Sequence, residues 1–147
     1  MNKVVLVTGG FDPIHSGHIA FFKAARKLGD QLVVGVNTDA WLSRKKGKAF
    51  MSFDERYAVI GEMECVDKVI GFDDDDGTAK SAIKQILQTK NPNWKVVFAN
   101  GGDRIMPQHP NISNIKAIGR LNFALASEER IKKIAAVGCL KSGLSQL

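Results

Sequence analysis

At 147 residues, 44% of them apolar and 24% charged, the chain can build one domain with a real core. Its two cysteines, Cys65 and Cys139, exclude a disulfide framework and fit a reducing, cytoplasmic setting. No apolar run approaches the ~20 residues of a membrane span, and the N-terminus enters a strand with no secretory leader expected. The net charge of +6 does not mark a nucleic-acid protein, because residues 104–147 hold seven basic and two acidic residues while the rest holds 14 and 13.

The first element is an apolar run at 4–7, read as a strand over 3–8, and it ends in Gly9-Gly10. A helix-patterned segment over 17–28 follows at once. A buried strand that closes in a glycine turn and feeds a helix N-terminus is an anion site by construction. The first N–H groups of the helix lack internal partners, and its dipole favours negative charge there. His15 and His18, three apart, share one face of that first turn. A His-x-x-His metal pair is the competing reading. It finds no third or fourth ligand nearby, and the cysteines are too scattered to supply them.

Further along, strands are expected over 31–37, 67–72 and 95–99, and helices over 53–64 and 78–88, with Ser52 capping the first of these two. Arg44-Lys45-Lys46-Gly47-Lys48 reads as a basic, solvated loop. Asp73-Asp74-Asp75-Asp76 reads as an exposed loop before a helix N-terminus rather than a metal site. Strands that are apolar throughout, interleaved with amphipathic helices, mean an α/β fold, a parallel sheet covered on both faces. Such sheets bind ligands beyond the carboxyl ends of their strands. Gly9-Gly10, Asn37-Thr38-Asp39 and Gly101-Gly102-Asp103 all fall there.

His15-Ser16-Gly17-His18 resembles the His-x-Gly-His signature of the nucleotidyltransferase superfamily related to class I tRNA synthetases. The stretch from Ala25 to Asp39, with Lys46-Gly47, Glu55-Arg56, Val66-Asp67-Lys68-Val69 and Gly101-Gly102-Asp103, resembles its cytidylyltransferase branch. The resemblance implies a Rossmann-like nucleotidyltransferase fold. It implies transfer of a nucleotidyl group, cytidylyl by preference, from a nucleoside triphosphate to a small phosphorylated alcohol or sugar. Pyrophosphate leaves, and Mg²⁺ serves as counterion. By the same resemblance His15 and His18 bind the phosphate chain, and Lys46 neutralises it, with Lys45 and Lys48 as rivals. Gly9, Gly10, Phe11 and Gly17 let the backbone approach the nucleotide. Arg56 and Asp103 border the nucleotide or acceptor pocket. A homodimer is left open. Phe11-Asp12-Pro13-Ile14-His15 also resembles adenylyltransferases acting on nicotinamide mononucleotide or phosphopantetheine. A third reading is an inactive remnant whose basic tail binds polyanions.

The resemblance covers residues 3–104, which make the expected nucleotidyltransferase core; residues 105–147 form an atypical basic tail. Family members carry a serine- and threonine-rich segment here that holds the triphosphate, and this tail, read literally, has none. One base lost after the Arg104 codon would account for it. The restored frame permits Asn-Asn-Ala-Thr-Thr-Ser-Glu-Tyr-Gln-Gln-Tyr from codons 105–115 and Asn-Ser-Ser-Ser-Trp-Leu-Leu-Lys from codons 134–141. The rival is a genuine divergent tail with one helix over 127–137, capped by Ser127. A slipped tail should pack poorly and form at most that helix.

Overall fold

The apolar run at 4–7 is continuous because both of its faces are covered. In the computed structural model, which describes residues 2–89, 93–101, 115–122, 129 and 131–132, this run lies in strand β1 (Lys3–Gly9). Val4 and Leu6 join one apolar cluster with Ile83, Ile86 and Phe98; Val5 and Val7 join a second with Phe21, Phe22 and Ile60. Side chains alternate across a strand, so a central parallel strand needs an apolar residue at every position.

The chain continues through α1 (Ser16–Arg26), β2 (Gln31–Val36), α2 (Asp39–Lys46), α3 (Phe53–Gly61), β3 (Lys68–Gly71), α4 (Lys80–Thr89), β4 (Lys95–Gly101) and β5 (Ile115–Asn122). The sheet order is β3-β2-β1-β4-β5. β1 to β4 are parallel, in register Val5 with Leu32, Val34 with Val69 and Val4 with Val96. Helices α1 and α3 supply Phe21, Phe22, Ala25 and Ile60 to one face, and α4 supplies Ala82, Ile83 and Ile86 to the other. This is the α/β, Rossmann-like architecture expected from the sequence. The chain winds outward from β1 through β2 to β3 and then crosses back to place β4 on the other side of β1, so a crevice opens at the carboxyl ends of β1 and β4.

Three expectations need correcting. The basic stretch at 44–48 is not simply a loop: Arg44, Lys45 and Lys46 form the last turn of α2, where positive charge suits the helix dipole, and Gly47 closes it at φ +91°. Thr38 caps this helix, its hydroxyl accepting from the Trp41 amide at 3.1 Å. Nor is the aspartate run wholly exposed. Asp74 is 1% exposed, its carboxylate accepting from Asn37 Nδ2 (2.9 Å), Thr38 N and Thr38 Oγ1 (both 2.8 Å). It is buried because it fastens the β2–α2 corner.

The third correction concerns the tail. β5 pairs antiparallel with β4, Lys95 opposite Asn122 and Gly101 opposite Ile115, with an irregularity between Phe98 and Ala99. The sheet therefore continues into the tail, where at most a helix was expected. The exposed backbone edge of β4 can be satisfied by any extended partner, and a ladder makes few demands on side-chain identity. Glu129, Ile131 and Lys132 are helical, within the expected helix, and Ile131 is buried in the α4-side cluster. The remainder of that helix and its proposed cap Ser127 lie outside the described residues.

Candidate active site

The turn that follows β1 is held by packing before it is held by anything polar. Phe11 sits at φ +50°, a left-handed conformation that a bulky residue enters only when its surroundings over-determine it. Its ring is buried edge-on to Phe22 and His18, with centroids 5.0 and 5.3 Å apart. The glycines before it make room for this. A Cβ on Gly9 would stand 2.9 Å from Phe11 Cζ, and one on Gly10 2.6 Å from Leu42 Cδ2. The Asp12–Pro13 peptide bond is cis.

His15 then caps α1. The amide of Gly17 donates to His15 Nδ1 at 3.0 Å, and the amide of His15 donates to His18 Nδ1 at 3.2 Å. This is a capping box in which imidazoles replace the usual hydroxyl and carboxylate. Gly17 is buried within that first turn. Because both Nδ1 atoms accept, each neutral ring carries its proton on Nε2. The rings stack with centroids 3.9 Å apart. Burial, and secondarily the neighbouring His15, push the His18 pKa down to about 4. At neutral pH His18 is thus an uncharged N–H donor in a fixed tautomer.

Both histidines line a cavity of about 240 Å³, with Gly10, Phe11, Trp41, Leu42, Lys45 and Lys46 among its other walls. The sequence-derived residues His15, His18, Lys46, Gly10 and Phe11 meet there. Lys45 joins them, its ammonium 5.4 Å from the Trp41 ring centre; Lys48 does not line the cavity. Lys46 Nζ contacts Asp12 twice, at the carbonyl oxygen (2.6 Å) and at Oδ2 (2.9 Å). Burial raises the Asp12 pKa, but the hydrogen bond from Lys46, the amides of Phe50 and Met51 and the charge of Lys46 outweigh it and hold the carboxyl below its ordinary range. A larger cavity near the start of α4, bordered by Asp73, Lys80 and Lys84, lies apart from this site.

Arg56 takes a different place from the one the resemblance implied. It is fully buried and does not line the cavity. Its Nε donates to Met51 O (3.0 Å), and Nη1 donates to Gly10 O (2.9 Å) and Asn37 O (2.7 Å). Nη2 reaches Asp39 Oδ1 at 2.7 Å. The guanidinium ties together the ends of β1 and β2 and the approach to α3, and so braces the Gly10 turn from which the cavity is built. Asp103 lies outside the described residues. Asp12, Trp41 and Leu42 were not singled out from the sequence. Asp12 had a signal, since it sits inside the histidine motif. Trp41 and Leu42 follow Thr38 at the spacing of a capped first turn.

A parallel sheet whose crevice holds a helix N-terminus, two fixed imidazole donors and a lysine is built to hold a phosphate chain, as a nucleotidyltransferase must. The family model described as cytidylyltransferase-like matches residues 6–139, and the chain belongs to that family. The match runs past Arg104, where the resemblance of the sequence had stopped. The bifunctional protein HldE of Erwinia tasmaniensis is 42% identical over 114 residues, covering 69% of this chain and 23% of that protein. HldE of Yersinia enterocolitica is 33% identical over 144 residues, covering 97% of this chain and 28% of its own length. The chain thus spans about a quarter of the length of these relatives. Among solved structures, the lipopolysaccharide core biosynthesis protein of Thermoplasma volcanium matches with a TM-score of 0.57 at 29% identity, over 74% of this chain and 81% of that one. Among the described residues no helix is long and apolar enough to cross a membrane.

Proposed function

We propose that this chain transfers a nucleotidyl group, cytidylyl by family likeness, from a nucleoside triphosphate to a small phosphorylated sugar or alcohol in the cytoplasm. The Thermoplasma neighbour is a protein of lipopolysaccharide core biosynthesis, and that likeness favours a sugar phosphate as acceptor. The carrying observation is the pair of stacked, backbone-locked imidazoles at the N-terminus of α1, facing the same cavity as Lys46.

An oxygen of the acceptor's phosphate attacks the α-phosphorus of the triphosphate. The bond from that phosphorus to the bridging oxygen breaks, and pyrophosphate leaves with the electron pair. No covalent enzyme intermediate is needed, so catalysis is alignment and charge stabilisation. The Nε2–H groups of His15 and His18 donate to the phosphoryl oxygens, the positive end of the α1 dipole favours their charge, and Lys46 offsets the charge of the leaving group. A neutral His18 suits this task, since it holds a donor in place without yielding a proton. Among the described lining residues Asp12 is the sole carboxylate, and it is already engaged. Mg²⁺ would therefore arrive on the triphosphate, as part of the substrate, rather than in a protein cage.

Pyrophosphate release from CTP and from ATP, with a panel of sugar 1-phosphates and polyol phosphates, tests the reading. Acceptor-dependent release from CTP supports it. Release from ATP alone would shift the assignment to the adenylyltransferase alternative, and none with any pair would remove it.

A further inference from the structure

The Asp12 side chain has no exposed surface, yet none of its bonds serves its own turn. Oδ2 accepts from the Phe50 amide and Oδ1 from the Met51 amide, both at 2.6 Å, so the carboxylate pins the loop between α2 and α3. The same carboxylate holds Lys46 Nζ at 2.9 Å, and the carbonyl of Asp12 holds it again at 2.6 Å. An ammonium has three N–H donors. Two are spent on one residue, and the third remains for whatever fills the cavity that Lys46 lines. Lys46 also lies 5.7 Å from the ring centre of Phe50, so three contacts restrict a side chain that is otherwise among the most flexible.

We infer that Asp12 is a positioning residue for Lys46, ordering its ammonium over the cavity before the triphosphate arrives and leaving one N–H to meet it. The inference rests on the function proposed above. Its physical content is that the entropy of ordering a long lysine is already spent in the free protein, so a bound phosphate does not have to supply it. The carboxylate's charge costs the anionic ligand little, because two amides and Lys46 already neutralise it. The opposite role is also chemically defined. A carboxylate that competed with phosphate for the lysine would make the site bind more tightly once removed.

The test uses the full chain, wild type and the Asp12→Asn, Lys46→Ala and double variants. Calorimetric binding of CTP, ATP and inorganic tripolyphosphate is measured for each. Asp12→Asn should weaken binding of the triphosphates by about three- to tenfold, the cost of one side chain left to be ordered. In the Lys46→Ala background it should add nothing. Tighter binding would show competition instead, and additive losses would show a purely structural role; either overturns the inference. A second measurement needs neither ligand nor variant. In the free wild-type chain Lys46 should acylate more slowly than the exposed Lys48, read by mass spectrometry. Equal rates overturn the inference. If the wild-type chain binds no triphosphate but Lys46 is protected, the proposed function fails and the positioning contact stands.

Discussion

The histidine cap makes a quantitative claim about acid. His18 has a pKa of about 4 in the folded chain, against 6.5 when unfolded. Between those values the unfolded chain binds a proton that the folded chain refuses, so stability rises with pH across that window. The contribution is complete above 6.5, declines as pH falls, and is gone below about 4. At about 1.4 kcal/mol per pH unit the ceiling is about 3 kcal/mol, and about 2 kcal/mol is the reasonable expectation for a ring that keeps some solvent contact. Asp12 works in the same direction, since its depressed pKa is also lost to acid. The informative variant is His18→Gln. Glutamine at the third helical position can still accept from the His15 amide, as in an ordinary capping box, but it does not titrate. Urea unfolding at half-unit steps from pH 7.5 to 4 should show a steep acid loss in the wild type and a shallower one in His18→Gln, with near-equal stability at neutral pH. Imidazole NMR of the wild type should show Nδ1 of His18 unprotonated at pH 7. Identical slopes for the two proteins, or a His18 that titrates near 6.5, would refute the reasoning.

Other substitutions probe the remaining parts. His15→Ala should lower turnover by roughly 10²–10³, as lost transition-state donors do, and cost about 1 kcal/mol of stability because it also uncaps α1; steady-state kinetics and thermal unfolding separate the two effects. Lys46→Ala should raise KM for the triphosphate more than KM for the acceptor, and an effect at Lys45 or Lys48 alone would move the role within the basic run. Arg56→Met should destabilise by about 3–5 kcal/mol, leaving three carbonyls and Asp39 without their donor; chemical denaturation reads this directly. The coding DNA around the Arg104 codon tests the tail: if a base is missing, restoring it should yield a serine-rich segment and raise turnover together. A chain so restored that gains nothing would leave the written tail as the genuine one.

The parallel sheet was legible because its strands carry continuous apolar runs through their centres, the mark of a strand buried on both faces. The histidine turn was legible because motif, glycines and helix start coincide within ten residues. What escaped was whatever depends on a partner far along the chain. Arg56 looks like a pocket cation, and only the fold shows that three backbone carbonyls surround it. Asp74 is one of four identical neighbours, and nothing local says which of them turns inward to Asn37 and Thr38. α2 was hidden because eight residues, half of them charged, give little periodicity, and its Thr38 cap was the cue left unused. β5 was hidden because an edge strand is chosen by the open backbone of β4 rather than by a pattern of its own.

The guanidinium of Arg56 grips its surroundings chiefly through main-chain oxygens, at Gly10, Asn37 and Met51, and only at Asp39 through a side chain. A hub that recognises backbone is indifferent to which amino acid supplies it. Between Gly47, which closes α2, and Ser52, which caps α3, the connection can therefore exchange its side chains, Phe50 at 75% exposure foremost, without loosening the frame that holds the histidines. Such a scaffold separates the upkeep of the frame from the identity of the side chains around it. The joint beneath the histidine turn is fixed by main chain, while the side chains beside it are free to drift.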